Sequence, residues 1–104
     1  MVEYRVKGAP GFSVHPGELW REILEEHLEM PVAEAARRMG VSRQSLYAVL
    51  RGASAVTADM ALRFGRLVGA DPALYLHMQA AHDLFAARAR IEDALDAIKP
   101  AGTT

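Results

Sequence analysis

Apolar residues recur every three or four positions along most of the chain, which is the period of an amphipathic helix. Residues 32–39 show the spacing clearly, with one apolar stripe formed by Val32, Ala35, Ala36 and Met39. No segment alternates apolar and polar residues over the length of a strand. The pattern therefore predicts an all-α fold without a sheet.

Glycine, proline and capping residues divide this pattern into five predicted helices. A glycine after an apolar stripe ends a helix because it readily takes the left-handed conformation of a C-cap. Serine, threonine or aspartate before a helix accepts hydrogen bonds from the free N–H groups of its first turn. The predicted helices run from about Pro16 to Leu28, from Val32 to Met39, from Ser42 to Arg51, from Thr57 to Gly69, and from Asp71 as far as Lys99.

The first predicted helix has two faces of different character. Its inner, mostly apolar face comprises Leu19, Trp20, Ile23, Leu24 and His27. Its outer face comprises Glu22, Glu25, Glu26 and Glu29. We expect Trp20 and the methionines to belong to the hydrophobic core.

Two short predicted helices joined by Gly40-Val41-Ser42 form a helix-turn-helix pattern. That motif needs a glycine at the turn, a buried aliphatic residue after it and a cap for the second helix, and the three residues supply these in order. Ala35 and Ala36 are small enough to let the two helices cross closely. An ordinary helical hairpin inside a bundle uses similar turns, so the outer face of the second helix decides between the two interpretations.

That outer face carries polar side chains typical of a DNA recognition helix. Arginine can bind guanine, and glutamine adenine, through two hydrogen bonds each, so we expect Arg43 and Gln44 to contact base edges. Arg51 and the helix N-termini at Ser42 and Thr57 are expected to contact phosphates. The predicted DNA-binding residues are Ser42, Arg43, Gln44, Ser45, Tyr47, Arg51 and Thr57, with Tyr47 either contacting a sugar or thymine methyl group or having a purely steric role.

Charge supports this interpretation through its distribution along the chain. The chain of 104 residues has a net charge of −1, which by itself does not suggest nucleic acid. However, residues 31–70 carry six arginines against two acidic residues, whereas both flanking segments are acidic. A basic middle between acidic ends fits one face that meets phosphate.

The remaining composition excludes several classes of protein. With no cysteine, no apolar run of about 20 residues and no apolar N-terminal segment of signal type, we expect a single-domain cytoplasmic protein without disulfides. The four histidines, at positions 15, 27, 77 and 82, have no metal-binding spacing, and His15 is interpreted as the residue that begins the first helix. We expect no metal, no cofactor and no enzymatic activity, because nucleophile signatures and phosphate-binding glycine loops are also missing.

The stretch Gly40-Val41-Ser42-Arg43-Gln44-Ser45-Leu46 resembles the helix-turn-helix of the phage-repressor-like (Xre) family. A more selective likeness extends over about residues 15–84. It consists of HPGE at 15–18, TADMALR at 57–63 and LYLHMQAAHDL at 74–84. Together these segments resemble the HigA antitoxins, also called the VapI group.

The resemblance implies a five-helix repressor-like domain and a homodimer that binds a palindromic operator in double-stranded DNA. It also implies a partner toxin of the RelE/HigB-like ribonuclease type. The implied function is an antitoxin that represses its own toxin–antitoxin operon and neutralises the toxin by direct binding. The alternatives are a stand-alone Xre-type repressor without a toxin and a helical adaptor that does not bind DNA.

The chain departs from the family pattern at three places. Pro31 and Val32 stand where the second helix usually opens with Ser-Gln or Thr-Gln, and Ala53-Ser54-Ala55 stand where a Lys-Arg pair often follows Gly52. Both changes remove a phosphate contact, so we expect DNA binding that is weak, salt-sensitive or strongly dependent on dimer formation. The usual tryptophan and asparagine of the fifth helix are Tyr75 and His77, and the large aromatic ring is thereby kept.

Three parts of the chain are expected to have separate roles. An N-terminal arm covers residues 1–14, the helix-turn-helix domain covers 15–84, and a C-terminal helical extension and tail covers 85–104. Across the fifth helix and the tail, a near-heptad stripe of Leu84, Ile91, Leu95 and Ile98 predicts either a dimer interface or packing against the chain's own core. For the toxin we favour the acidic face of the first helix together with the arm, with the acidic tail (Glu92, Asp93, Asp96) as the alternative.

Overall fold

The computed structural model describes residues 14–102, and between these limits the chain forms helices and loops with no strand. Helix α1 spans Pro16–Glu22 and continues as a π-helical turn over Ile23–His27; the others are α2 (Val32–Met39), α3 (Arg43–Leu50), α4 (Ala58–Val68), α5 (Pro72–Arg90) and α6 (Glu92–Asp96). The predicted all-α fold is confirmed, and a short sixth helix ends the extension. Residues 1–13 of the predicted arm lie outside the described residues. Nowhere in residues 14–102 is a helix both long and apolar enough to span a bilayer.

The helices begin and end where local side-chain chemistry predicts. Through a side-chain oxygen, Ser42, Thr57 and Asp71 each accept a hydrogen bond of 3.0–3.2 Å from a backbone N–H two or three residues further on. At the other ends of α2 and α4, Gly40 and Gly69 have φ of 75° and 76°, in the left-handed region. These boundaries therefore depend on the chemistry of a few neighbouring residues.

Three aromatic rings in mutual contact form the centre of the core. Trp20 of α1 stacks on Phe64 of α4 with ring centroids 4.0 Å apart, and Tyr75 of α5 meets both rings edge-on at 5.3 and 5.6 Å. All three side chains are buried, and burial raises the pKa of the Tyr75 hydroxyl. The cluster joins α1, α4 and α5 through one large aromatic ring from each helix.

The end of α1 differs from the prediction. Leu28 N–H donates to the carbonyl of Ile23, five residues back, at 2.9 Å, so the last turn is wider than an α-helical turn. His27 is consequently exposed, whereas Leu24 is buried. The prediction that His27 shares the inner face was wrong, because the π-helical turn shifts the chain off the 3.6-residue period on which that prediction depended.

Gly17, in the first turn of α1, lies directly against the backbone of α3. A Cβ atom at this position would be 2.0 Å from the carbonyl oxygen of Val49 and 3.0 Å from Nδ1 of His15. Real Cβ atoms do not approach a backbone oxygen so closely. The glycine therefore allows α1 to contact the C-terminal half of α3.

We expect Gly17→Ala to lower the free energy of unfolding by about 1–3 kcal/mol, because α1 and α3 have to separate to admit the methyl group. The matched control is Gly102→Ala, where nothing lies within 4 Å, so its effect should stay within about 0.5 kcal/mol. Urea titrations followed by circular dichroism measure both. Equal midpoints for the two variants would contradict the close contact.

Candidate nucleic-acid interface

The turn between α2 and α3 has the geometry of a helix-turn-helix. Gly40 takes the left-handed conformation, and the N–H of Val41 donates to the carbonyl of Ala36 at 3.0 Å. Val41 packs, half-buried, against the core, while Ala35 and Ala36 are buried where α2 meets its neighbours. Ser42 then caps α3. Each predicted part of the turn therefore has the structural role that the sequence assigned to it.

Arg63 of α4 stabilises this turn from the outside. Its Nη1 donates to the carbonyl of Met39 at 2.7 Å, and its Nε donates to the Asp59 carboxylate at 2.5 Å. A cation beside the last carbonyls of a helix is favourable, because those oxygens carry partial negative charge. This arginine, counted above in the basic segment, thus links α4 to the end of α2.

All seven residues predicted to bind DNA are exposed. Four of them lie on one side of α3 and its C-cap: Arg43, Gln44, Tyr47 and Arg51. The remaining side of the helix is fixed in the core by Leu46, Val49 and Leu50. Arg43 and Gln44 occupy the first turn, at the helix end that favours an anion.

The two serines and the threonine of the predicted set form hydrogen bonds at helix N-termini. Ser42 Oγ accepts from the N–H of Ser45 at 3.0 Å and donates to the Ser45 hydroxyl at 2.8 Å. Thr57 Oγ1 accepts from the N–H of Met60 at 3.2 Å, on a separate helix. The structure thus brings Ser42 and Ser45 together and places Thr57 beyond the following loop.

Ion pairs neutralise only part of the basic segment. Arg38 lies 3.5 Å from the carboxylate of Glu34, and Arg63 pairs with Asp59. Within residues 14–102, no ion pair involves the other four arginines of the segment: Arg37, Arg43, Arg51 and Arg66. The positive charge on the outer face of α3 is therefore not compensated by this part of the chain.

Two buried polar residues contact the loop 51–57, which connects α3 to α4. Gln79 Oε1 accepts from the N–H of Val56 at 2.7 Å. Nε2 of His15 lies 3.1 Å from the carbonyl oxygen of Ser54. Nδ1 of the same ring accepts a hydrogen bond of 2.9 Å from the N–H of Gly17. The prediction that His15 begins α1 is confirmed, whereas neither loop contact was predicted from the sequence. The available signal was that HPGE and LYLHMQAAHDL each contain one of these residues.

The environment of His15 favours its neutral form. Burial lowers the pKa of His15 below its ordinary value of 6.5, and the neighbouring His82 lowers it further, against weaker opposing effects of the Ser54 carbonyl, Asp83 and Glu18. The hydrogen bonds require the same form, because Nδ1 can accept from Gly17 only when it carries no proton.

Comparisons with known proteins agree with this architecture. Residues 23–78 match the family described as "Helix-turn-helix domain". Virulence-associated protein I of Dichelobacter nodosus is 35% identical over 72 residues, which are 69% of this chain and 67% of that protein. The HigA-family addiction module antidote protein from Coxiella burnetii has a TM-score of 0.78 at 30% identity, over 84% of this chain and 96% of that one. Pseudomonas aeruginosa antitoxin HigA, solved with the higBA promoter, has a TM-score of 0.81 at 29% identity, over 88% and 100%. The chain belongs to the helix-turn-helix family of the HigA (VapI-type) antitoxins.

Proposed function

We propose that this protein is an antitoxin that binds the operator of its own toxin–antitoxin operon through α3 and neutralises a HigB-type ribonuclease toxin by direct binding. The observation that carries the proposal is the pair Arg43 and Gln44, exposed at the capped N-terminus of a helix whose other side is buried. The P. aeruginosa relative that shares this fold was solved with promoter DNA, which supports the same use of the fold here.

Two features favour modest affinity for each half-site. The N-cap of α2 is Pro31, which makes no side-chain capping bond. Its side chain has no hydrogen-bond donor for a phosphate. The loop residues Ala53, Ser54 and Ala55 are exposed but uncharged. Fewer phosphate contacts mean less counterion release and weaker binding. A dimer that occupies two half-sites would compensate for this loss.

We expect Arg43→Ala to cost about 1–3 kcal/mol on the chain's own upstream DNA, through loss of a bidentate base contact, and much less on a scrambled duplex. Arg38→Ala is the matched control, since Arg38 is exposed on the neighbouring helix and paired with Glu34. Fluorescence anisotropy with both duplexes at two salt concentrations measures the effect. Equal losses on both duplexes for Arg43→Ala would assign this residue to the DNA backbone instead.

The C-terminal stripe supports a homodimer. Leu84, Ile91, Leu95 and Ile98 are 60, 40, 40 and 66% exposed, and Phe85 beside them is 45% exposed. The alternative expectation, that the stripe packs against the chain's own core, is therefore wrong for residues 84–98. Five large apolar side chains on one extension form a surface that a second copy would cover.

Removal of residues 86–104 should convert a dimer into a monomer that remains helical, because it deletes three of the four stripe residues. Removal of residues 99–104 alone is the control and should leave the dimer intact. Light scattering coupled to size-exclusion chromatography gives the mass of each variant. If the protein without residues 86–104 is still a dimer, the interface lies in residues 71–84 instead.

The outer face of α1 is the proposed toxin-binding surface. Glu22, Glu25, Glu26 and Glu29 are all exposed around the π-helical turn. The family resemblance implies a basic, RNA-binding toxin, and such complementary charge chiefly raises the association rate and fixes the orientation of binding. The arm, proposed to join this surface, precedes the same helix in the sequence.

Reversal of Glu22, Glu25 and Glu26 to lysine should slow association with the product of the adjacent reading frame by about tenfold at low salt, with operator binding unchanged. The charge-matched control reverses Glu92, Asp93 and Asp96 in the tail. Surface plasmon resonance gives the association rates. If only the tail reversal slows association, the toxin-binding surface lies on α6.

A further inference from the structure

Four polar side chains lie together beneath the loop 51–57; one hydrogen bond joins Gln79 to Asp83, and His82 lies beside them without a hydrogen bond from any described residue to its Nδ1. Gln79 donates through Nε2 to the Asp83 carboxylate at 2.9 Å, and Nδ1 of His82 lies 3.6 Å from the same oxygen. The ring of His82 meets that of His15 edge-on, with centroids 5.1 Å apart. We call His15, Gln79, His82 and Asp83 the loop-holding network.

The network contacts the loop at both of its ends. Gln79 holds the N–H of Val56, and His15 holds the carbonyl of Ser54, so two hydrogen bonds fix neighbouring peptide groups. The His15 ring also lies against Gly52, where a Cβ would be 3.7 Å from Cγ of the ring. Gly52 has φ of 78°, which gives the chain its sharp turn after α3.

The loop joins two of the residues assigned to the DNA backbone. Arg51 stands at its first position as the C-cap of α3, and Thr57 stands at its last position as the N-cap of α4. Within residues 14–102, no side-chain hydrogen bond joins either residue to the network. Their separation depends on the loop, and phosphates on DNA have a fixed spacing, so a displaced loop cannot serve both contacts.

We propose that the loop-holding network positions Arg51 and Thr57 for operator binding, and that protonation of His15 loosens the loop so that operator affinity falls in mildly acidic solution. This inference rests on the proposed DNA-binding function. The four residues of the loop-holding network are positioning residues that act through the loop.

The hydrogen bonds of His15 explain the effect of a proton. Because the N–H of Gly17 points at Nδ1, the neutral ring carries its proton on Nε2 and donates to the Ser54 carbonyl. A second proton would place an N–H on Nδ1, directly facing the N–H of Gly17. The charged ring can still donate from Nε2 to the Ser54 carbonyl, so the contact to Gly17 is the one that breaks. The ring has to move away from the Gly17 N–H, and this movement loosens the loop bound to its other side.

The groups around His15 determine the direction of the pH dependence. His82 of α5 opposes the charged form, whereas Asp83 of α5 and Glu18 of α1 favour it, and burial outweighs them all. Since the pKa of His15 in the folded chain lies below the ordinary 6.5, the unfolded chain takes up the proton first. Stability is therefore fully present above that value and decreases as the pH falls toward the folded pKa.

This direction is opposite to the ordinary electrostatic effect. A protein that gains positive charge normally binds the phosphate backbone more tightly. Wild-type affinity for the upstream duplex should instead fall about tenfold between about pH 7.5 and pH 5.5, the range in which histidine titrates. Because phosphates are common to every sequence, affinity for a scrambled duplex should fall by a similar factor.

The first test replaces the titrating residue. Asparagine at position 15 still provides an N-cap acceptor, but it is too short to reach Ser54 and does not titrate. His15→Asn should bind the upstream duplex with an affinity that does not fall as the pH is lowered from about 7.5 to about 5.5. If His15→Asn loses affinity with falling pH as the wild type does, His15 is not the residue responsible.

The second test compares a variant that removes one hydrogen bond of the network with a double variant that keeps both bonds at the same net charge. Gln79→Met removes the hydrogen bond to Val56 and should weaken operator binding about tenfold. The double variant Gln79→Glu/Asp83→Asn keeps both bonds, since a carboxylate oxygen accepts from Val56 and the new amide donates to the other oxygen. It should bind within about threefold of wild type. Equal loss in both variants would overturn the positioning role.

A stability-matched control separates positioning from folding. Val68→Ala removes an apolar contact from a half-buried residue of α4 outside the network. It should lower the melting temperature without changing affinity at 20 °C, whereas Gln79→Met should change both and speed hydrogen exchange at the Val56 amide. If Val68→Ala loses operator affinity as Gln79→Met does, the loss reflects stability alone and the inference fails. If the wild type itself does not prefer the upstream duplex to the scrambled one, the proposed function fails instead. If the Val56 amide exchanges hydrogen at the same rate in Gln79→Met as in the wild type, the network does not hold the loop.

Discussion

An eight-residue helix has little stability of its own, and this constraint governs the arrangement of the whole domain. Formation of the first helical turn is unfavourable, so a helix of two turns depends on tertiary contacts. Helix α3 obtains them from Leu46, Val49 and Leu50, which are buried on one side. The direction in which its exposed residues point is therefore set by the packing of α1 and α2 against it.

Polar contacts complete what this packing begins, one at each end of α3. Before the helix, Arg63 binds the carbonyl of Met39 at the turn. After the helix, Gln79 binds the N–H of Val56. Both contacts satisfy backbone groups that no secondary structure would pair, and an unpaired buried group is costly. The helix is thus fixed along its length by apolar contacts and at its flanking loops by directional ones.

The sequence predicted the parts of this arrangement that depend on local chemistry. Ser42, Thr57 and Gly40 determine helix ends through the residues beside them, so their roles could be inferred without a structure. The bonds of Arg63 and Gln79 span 24 and 23 residues, and their existence depends on how the helices pack. Arg63 illustrates the difference, because the sequence counted it among charges for phosphate, whereas the fold uses it at the end of α2. The π-helical turn and the break at Ile91 were also unpredictable, since neither position has a proline or glycine to mark it.

Helix α5 relates the two ends of the molecule to each other. Its 19 residues give it a length of about 28 Å at 1.5 Å per residue. Gln79, in its middle, contacts the loop after α3, and Leu84, little more than one turn further on, begins the exposed apolar stripe. A single rigid helix therefore connects the proposed dimer surface to the loop that precedes α4. Because half-sites in DNA are spaced by the helical repeat, the orientation of two copies matters as much as the contacts of each. In the proposed dimer, the placement of α5 would relate that orientation to the position of the loop, because the apolar stripe begins on α5 at Leu84.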